Sequence, residues 1–130
     1  TVALRRSMQA AHVYVGAFLN ISSVVRALNA WSGDVIVVCA GWKGKPNLED
    51  TLFAGAVIDE LVGQYTVADD AALMAWKQFN LASYDLITAV KHSSHVNRLL
   101  GLGIEKDITF CLERDRYDVL PRLQGDKLVL

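Results

Sequence analysis

The sequence is poor in several things that would place a small chain quickly. It has two cysteines, Cys39 and Cys111, too few for a disulfide scaffold, which points to a reducing cytoplasm. No apolar run approaches the roughly 18–20 residues that a membrane span needs. The richest run, Val35 to Ala40, is short and leads at once into glycines and lysines. Neither sign of charge dominates: the formal net charge is -1, which excludes a polyanion and leaves no basic footprint for nucleic acid. Arg5 and Arg6 are not followed by an apolar stretch, so no secretory signal is read. Repeats, low-complexity tracts and linkers are also missing. What remains is a 130-residue chain, 52% hydrophobic and 21% charged, expected to fold as one domain over residues 1–130. It lacks an initiator methionine, and Thr1 to Ala10 already reads as helix, so the expectation is the C-terminal part of a longer chain.

His12 to Phe18 is rich in β-branched and aromatic residues and reads as a strand. Asn20 is a good cap for a helix with Ile21, Val24, Val25 and Leu28 on one face. Val35 to Ala40 is nearly continuous apolar sequence, as expected of a strand covered on both faces. Together these suggest a βαβ unit with parallel strands. Asn47 opens a helix reaching Leu61, and Asp69 or Asp70 opens another through Leu73, Trp76 and Phe79. Tyr84 to Val90 reads as a further helix, and Ser93 or Ser94 caps a short one through Val96 and Leu100. Asp107 to Leu112 reads as a third strand. Val119 to Leu123 and Lys127 to Leu130 form a hairpin across Gln124-Gly125-Asp126. The expected class is α/β, a three-layer α/β/α arrangement with a mostly parallel or mixed sheet and a C-terminal hairpin.

Ligands of open α/β sheets bind beyond the carboxyl ends of the strands, which draws attention to Cys39-Ala40-Gly41-Trp42-Lys43-Gly44-Lys45. The spacing fits neither a P-loop nor a dinucleotide fingerprint. It leaves two readings: a glycine loop at a helix N-terminus able to hold phosphate, aided by Lys43 and Lys45, or an ordinary loop with solvated lysines. Glu49 and Asp50 in the following first turn either offset the helix dipole or offer oxygen ligands to Mg²⁺. Ser93 and His95 are wrongly spaced for a nucleophile–base pair, and His92 with His95 gathers no third zinc ligand. His95 and Arg98 remain candidates for contact with an anion. Asp115 and Asp118 read as a solvated turn, and Cys39 and Cys111 as small buried hydrophobes. Of the tryptophans, only Trp42 sits where it could cover a ligand.

Several blocks then resemble the 2-phosphosulfolactate phosphatase family in the same order. They are Val15 to Asn20 followed by Val24 to Leu28; Val37 to Gly41 with Gly44; Leu48 to Thr51 with Ala54-Gly55-Ala56; Ser94-His95 with Arg98 to Leu100; and Asp107-Ile108, Cys111, Asp115 and Val119-Leu120-Pro121. The resemblance implies a Mg²⁺-dependent phosphatase that converts 2-phospho-3-sulfolactate to 3-sulfolactate and phosphate, a step towards coenzyme M. It implies catalytic roles for Glu49, Asp50 and His95, with Glu49 and Asp50 also holding the metal. Asn20, Cys39, Gly41, Lys43, Gly44, Ser94 and Arg98 would contact substrate, and Asp115 is a weaker candidate. Family members are longer than this chain, so the resemblance implies a cytoplasmic enzyme whose site is shared with an N-terminal part, in a homodimer or by association with that part. The alternative is a non-catalytic α/β fragment or a phosphate-binding domain lacking half of the site. Nucleic acid and membrane are not among the expected partners.

Overall fold

The computed structural model describes residues 2–130, and about half of the chain is helical. Helix α1 (Val2–Ser7) precedes a 3-10 turn (Phe18–Asn20), α2 (Ile21–Asn29), α3 (Leu48–Leu61) and α4 (Asp70–Ala82). Three shorter helices follow, α5 (Leu86–Val90), α6 (Ser94–Leu100) and α7 (Glu105–Leu112), before a hairpin of β1 (Arg122–Gln124) and β2 (Lys127–Val129).

Helix α3 is the centre of the core because it is apolar nearly all round. Leu52, Ala54, Gly55, Ala56, Val57 and Leu61 are all buried. The small residues let α4 approach closely. A Cβ on Gly55 would meet the Ala75 carbonyl and come within 2.6 Å of the Phe79 Cβ, so only glycine permits this crossing. Around this pair, Phe18, Ile21, Val24, Ala82, Val90 and Val96 complete one buried cluster. Phe18 meets Phe53 edge-on at 5.6 Å between ring centroids. The later helices start where short polar side chains satisfy free amides. Asp69 accepts from the Ala72 amide at 2.7 Å, Asp85 from Thr88 at 3.0 Å, and Ser93, rather than Ser94, from Val96 at 3.1 Å.

The C-terminal hairpin forms, but with shorter strands than expected and with Gln124 in the first strand, leaving Gly125-Asp126 as the turn. Arg122 pairs with Val129 and Gln124 with Lys127 in an antiparallel register. Gly125, at φ 62°, takes the first central position, as a type II′ turn requires.

The remaining strand expectations are corrected. His12 to Phe18 is not a strand of a parallel unit: three of its residues run antiparallel to the hairpin, with Val15 donating to Pro121 at 2.8 Å and Leu123 to Val13 at 2.9 Å. Asp107 to Leu112 lies within α7. Ile108, Phe110 and Leu112 alternate as a strand would, but Ile108 and Leu112 are also four apart, and the helix uses that spacing to pack on the core. Val35 to Ala40 is the largest departure. Residues 36–40 are exposed, and among the described residues no backbone hydrogen bond involves 35–40. The sheet observed among the described residues is the antiparallel hairpin, and the three-layer parallel arrangement is not seen there. Cys39 and Cys111, expected to be buried, are exposed free thiols, because neither lies in a covered strand. No helix of the described residues is long and apolar enough to cross a membrane.

Candidate functional site

The loop after Ala40 is closed by local geometry. Trp42 and Lys45 exchange backbone hydrogen bonds at 2.9 and 3.0 Å, while Lys43 (φ 50°) and Gly44 (φ 76°) occupy the two central positions of a type I′ turn. Gly41 has φ 64°, and a Cβ there would strike the Lys45 carbonyl. The loop is therefore a tight hairpin whose glycines serve backbone shape. Lys43 and Gly44 sit at its exposed tip, with the Lys43 ammonium 5.8 Å from the Trp42 ring centroid.

Adjacent carboxylates on α3 face different neighbours. Asp50 accepts the Gly41 amide at 2.7 Å and so ties the loop to the helix start. The Cys39 thiol donates to the Asp50 carbonyl at 3.4 Å, and partial burial, then the Asp50 carboxylate, push its pKa up. A thiol held protonated is a poor nucleophile. Glu49 instead turns towards α6. Both of its carboxylate oxygens are buried without a hydrogen-bond partner, although the His95 Nδ1 lies 3.3 Å from Oε1. The exposed part of the Glu49 side chain, 21%, is thus its methylene stem.

Arg98, one helical turn beyond His95, contacts that same Nδ1 and lies 4.4 Å from the Trp42 ring centroid. A guanidinium can only donate, so in this contact Nδ1 is the accepting atom. A chain of contacts therefore runs from Trp42 through Arg98 and His95 to Glu49. Two elements distant in sequence meet here because α6 packs beside the start of α3.

Behind Glu49 is a cavity of about 50 Å³, lined also by Val90, His95, Val96, Leu99, Asp107, Ile108, Cys111 and Leu112. About 10–15 Å³ of such space holds one water, so this cavity has room for a few waters. A larger open groove of about 310 Å³ lies between α5 and α7. Asp85 and Glu113 line it and no basic residue does, which disfavours an anionic ligand.

The other candidates lie apart from this chain of contacts. Asn20 spends its side chain on backbone, accepting from Ala17 at 2.8 Å and donating to the carbonyls of Val15 and Val119. Ser94 is exposed at the start of α6. Asp115 caps α2 from a distance, accepting the Ser22 amide and hydroxyl, each at 2.7 Å. Asp118 binds the Ser23 hydroxyl and Arg26, which together hold its carboxyl below the usual carboxylate range. Asp107 and Cys111 were not anticipated beside Glu49. Their i, i+4 spacing, shared with Ile108 and Leu112, was the available signal.

A Mg²⁺ ion needs hard oxygen donors, commonly one or two carboxylates completed by water and phosphate oxygens. Glu49 fits, since its carboxylate has no other partner. Asp50 fits less well, with one oxygen committed to Gly41. Among the described residues no group of three potential metal ligands assembles.

Comparison with known proteins agrees with this reading of the blocks. A model of the 2-phosphosulpholactate phosphatase family matches residues 1–126. A probable 2-phosphosulfolactate phosphatase of Caldanaerobacter subterraneus subsp. tengcongensis is 34% identical over 129 residues, covering 96% of this chain and 52% of the relative. Probable 2-phosphosulfolactate phosphatases of Thermotoga petrophila and Gloeobacter violaceus are each 37% identical, over 91% and 94% of this chain and 51% of their own lengths. The chain thus spans about half the length of the curated relatives it matches. With nearly every residue inside the family match, the chain belongs to the 2-phosphosulpholactate phosphatase family.

Proposed function

We propose that this chain supplies part of the active site of a cytoplasmic, Mg²⁺-dependent phosphatase acting on 2-phospho-3-sulfolactate or a similar small phosphoester. Its place would be in coenzyme M biosynthesis. The observation that carries the reading is the buried, unpartnered carboxylate of Glu49 beside His95 and Arg98. An uncompensated buried carboxylate is costly, so a site that keeps one has a cation or proton to receive.

When bound, Mg²⁺ would be held by Glu49 and would offset charge on the phosphate oxygens. Arg98, pressed on the Trp42 ring, offers a cation near the loop for the sulfonate or phosphate. Lys43 and Lys45 add positive charge at the exposed edge. In hydrolysis a water oxygen bonds to phosphorus, the phosphorus–oxygen ester bond breaks, and the proton that the water loses ends on the departing alkoxide; we assign His95, beside Glu49, to the transfer of that proton. Asp50 acts through Gly41, fixing the loop rather than touching substrate. The three-layer sheet expected of an α/β phosphatase would be completed by the part of the family fold outside this chain.

The test is phosphate release from 2-phospho-3-sulfolactate, with and without Mg²⁺, for this chain alone and combined with the remaining half of a relative. Mg²⁺-dependent release that falls by about 100-fold or more in Glu49→Gln supports the reading. Unchanged release in a folded Glu49→Gln protein overturns it.

A further inference from the structure

We propose that Val35–Ala40 is a docking strand, paired on both edges by two strands from the half of the family fold that this chain does not span. The run contains four consecutive β-branched residues, Val35-Ile36-Val37-Val38, followed by Cys39 and Ala40. Such sequence is the most β-prone and water-averse in the chain. Yet Ile36 is 86% exposed, Val38 56% and Val37 37%, so residues of both parities meet solvent. Alternate residues of a strand point to opposite faces, so both faces are uncovered. The backbone is equally bare: among the described residues no backbone hydrogen bond involves 35–40, and the segment's one side-chain contact of that kind there is the Cys39 thiol on the Asp50 carbonyl. A segment of this kind is a template for strand addition.

The relatives decide the occupant. They match this chain at 34–37% identity along nearly all of its length, but it covers only 51–52% of theirs. A comparable length of polypeptide therefore belongs to the same fold. A second copy pairing through the same run would fill one edge and leave the other open. Two strands fill both, and a near-continuous apolar run is what a doubly covered central strand needs.

Docking also reaches the candidate site. Ala40 leads directly into Gly41, whose amide is held by Asp50, and then into Trp42, on which Arg98 lies. Fixing 35–40 in a sheet fixes where this loop stands relative to α3 and α6. This inference concerns strand pairing alone and stands whether or not the phosphatase reading holds.

The experiment is hydrogen exchange by mass spectrometry on this 130-residue chain, alone and mixed with the unmatched half of the Caldanaerobacter relative, with light scattering for stoichiometry. Alone, amides of 35–40 should exchange as an unstructured peptide does, while those of α3 are protected. In the mixture a one-to-one complex should form, with exchange in 35–40 slowed by about 100-fold or more. Val37→Pro, which removes a ladder donor, should abolish the complex and leave the circular dichroism and urea midpoint of the isolated chain unchanged. No complex, or a complex in which 35–40 stays unprotected, overturns the proposal. Protection in the isolated chain also overturns it, pointing to a second copy if it depends on concentration and to an intramolecular partner if it does not.

Discussion

Two apolar stretches of this chain meet opposite fates. Leu52 to Leu61 in α3 buries six of its ten residues, whereas Val35 to Ala40, more hydrophobic per residue, is exposed from Ile36 onward. The difference is in backbone hydrogen bonding. A helix satisfies its own amides and carbonyls, so α3 needs only side-chain neighbours, which α2 and α4 supply. A strand needs another strand before it can leave water, because burying its unpaired backbone costs more than its side chains return. Hydrophobicity thus measures the demand for burial, and hydrogen-bonding geometry decides whether a segment meets that demand alone.

The comparison breaks first at Leu52, which is fully buried. Leu52→Ala should lower stability by about 3 kcal/mol through lost burial and the cavity left behind, read from urea unfolding. A smaller loss, about 1–2 kcal/mol, is expected for Asp50→Ala, which leaves the Gly41 amide without its acceptor. Exchange of the Gly41 and Trp42 amides should rise in that variant, and a cooperative transition should remain. Ile36→Ser sharpens the other side: at 86% exposure it should change the isolated chain by less than about 0.5 kcal/mol. If Ile36→Ser destabilises as much as Leu52→Ala, the segment is buried in solution and the contrast fails.

The smallest effect is electrostatic. Ser23 and Arg26 depress the Asp118 carboxyl below its ordinary pKa of 3.8. A depressed carboxylate contributes stability that is present above the ordinary value and lost as pH falls through the lower, folded one. Asp118→Asn should therefore flatten the acid limb of the stability profile below pH 3.8 and have little effect on pH dependence near neutrality. An unchanged acid limb would show that this exposed pair contributes nothing.

Much of the helical part was legible from local signals. Asp69 and Ser93 mark helix starts because short polar side chains reach the amides three residues on, a purely local geometry. The hairpin at Gly125 was legible for the same reason. Asn20 shows the limit: a good capping residue, it turns back to Ala17 and Val15, and Asp115, far along the chain, takes over the amide of Ser22. Among the candidate site residues, the loop glycines, Glu49, Asp50, His95 and Arg98 could be picked out as polar groups at element ends. That Glu49 and Asp50 would face different partners could not, since adjacent helical positions diverge and only the packing of α6 and the loop supplies the neighbours.

By itself, then, the sequence determined the positions of most helices, the turn at Gly125, the apolar demand of Val35 to Ala40 and the family to which the chain belongs, all properties of residue type and short-range spacing. Tertiary structure alone decided that Asp107 to Leu112 is helix, that Arg98 lies on Trp42, and that Glu49 keeps a buried carboxylate without a donor. Those outcomes depend on which surfaces meet across long stretches of chain, and no local pattern of side chains encodes such meetings on its own.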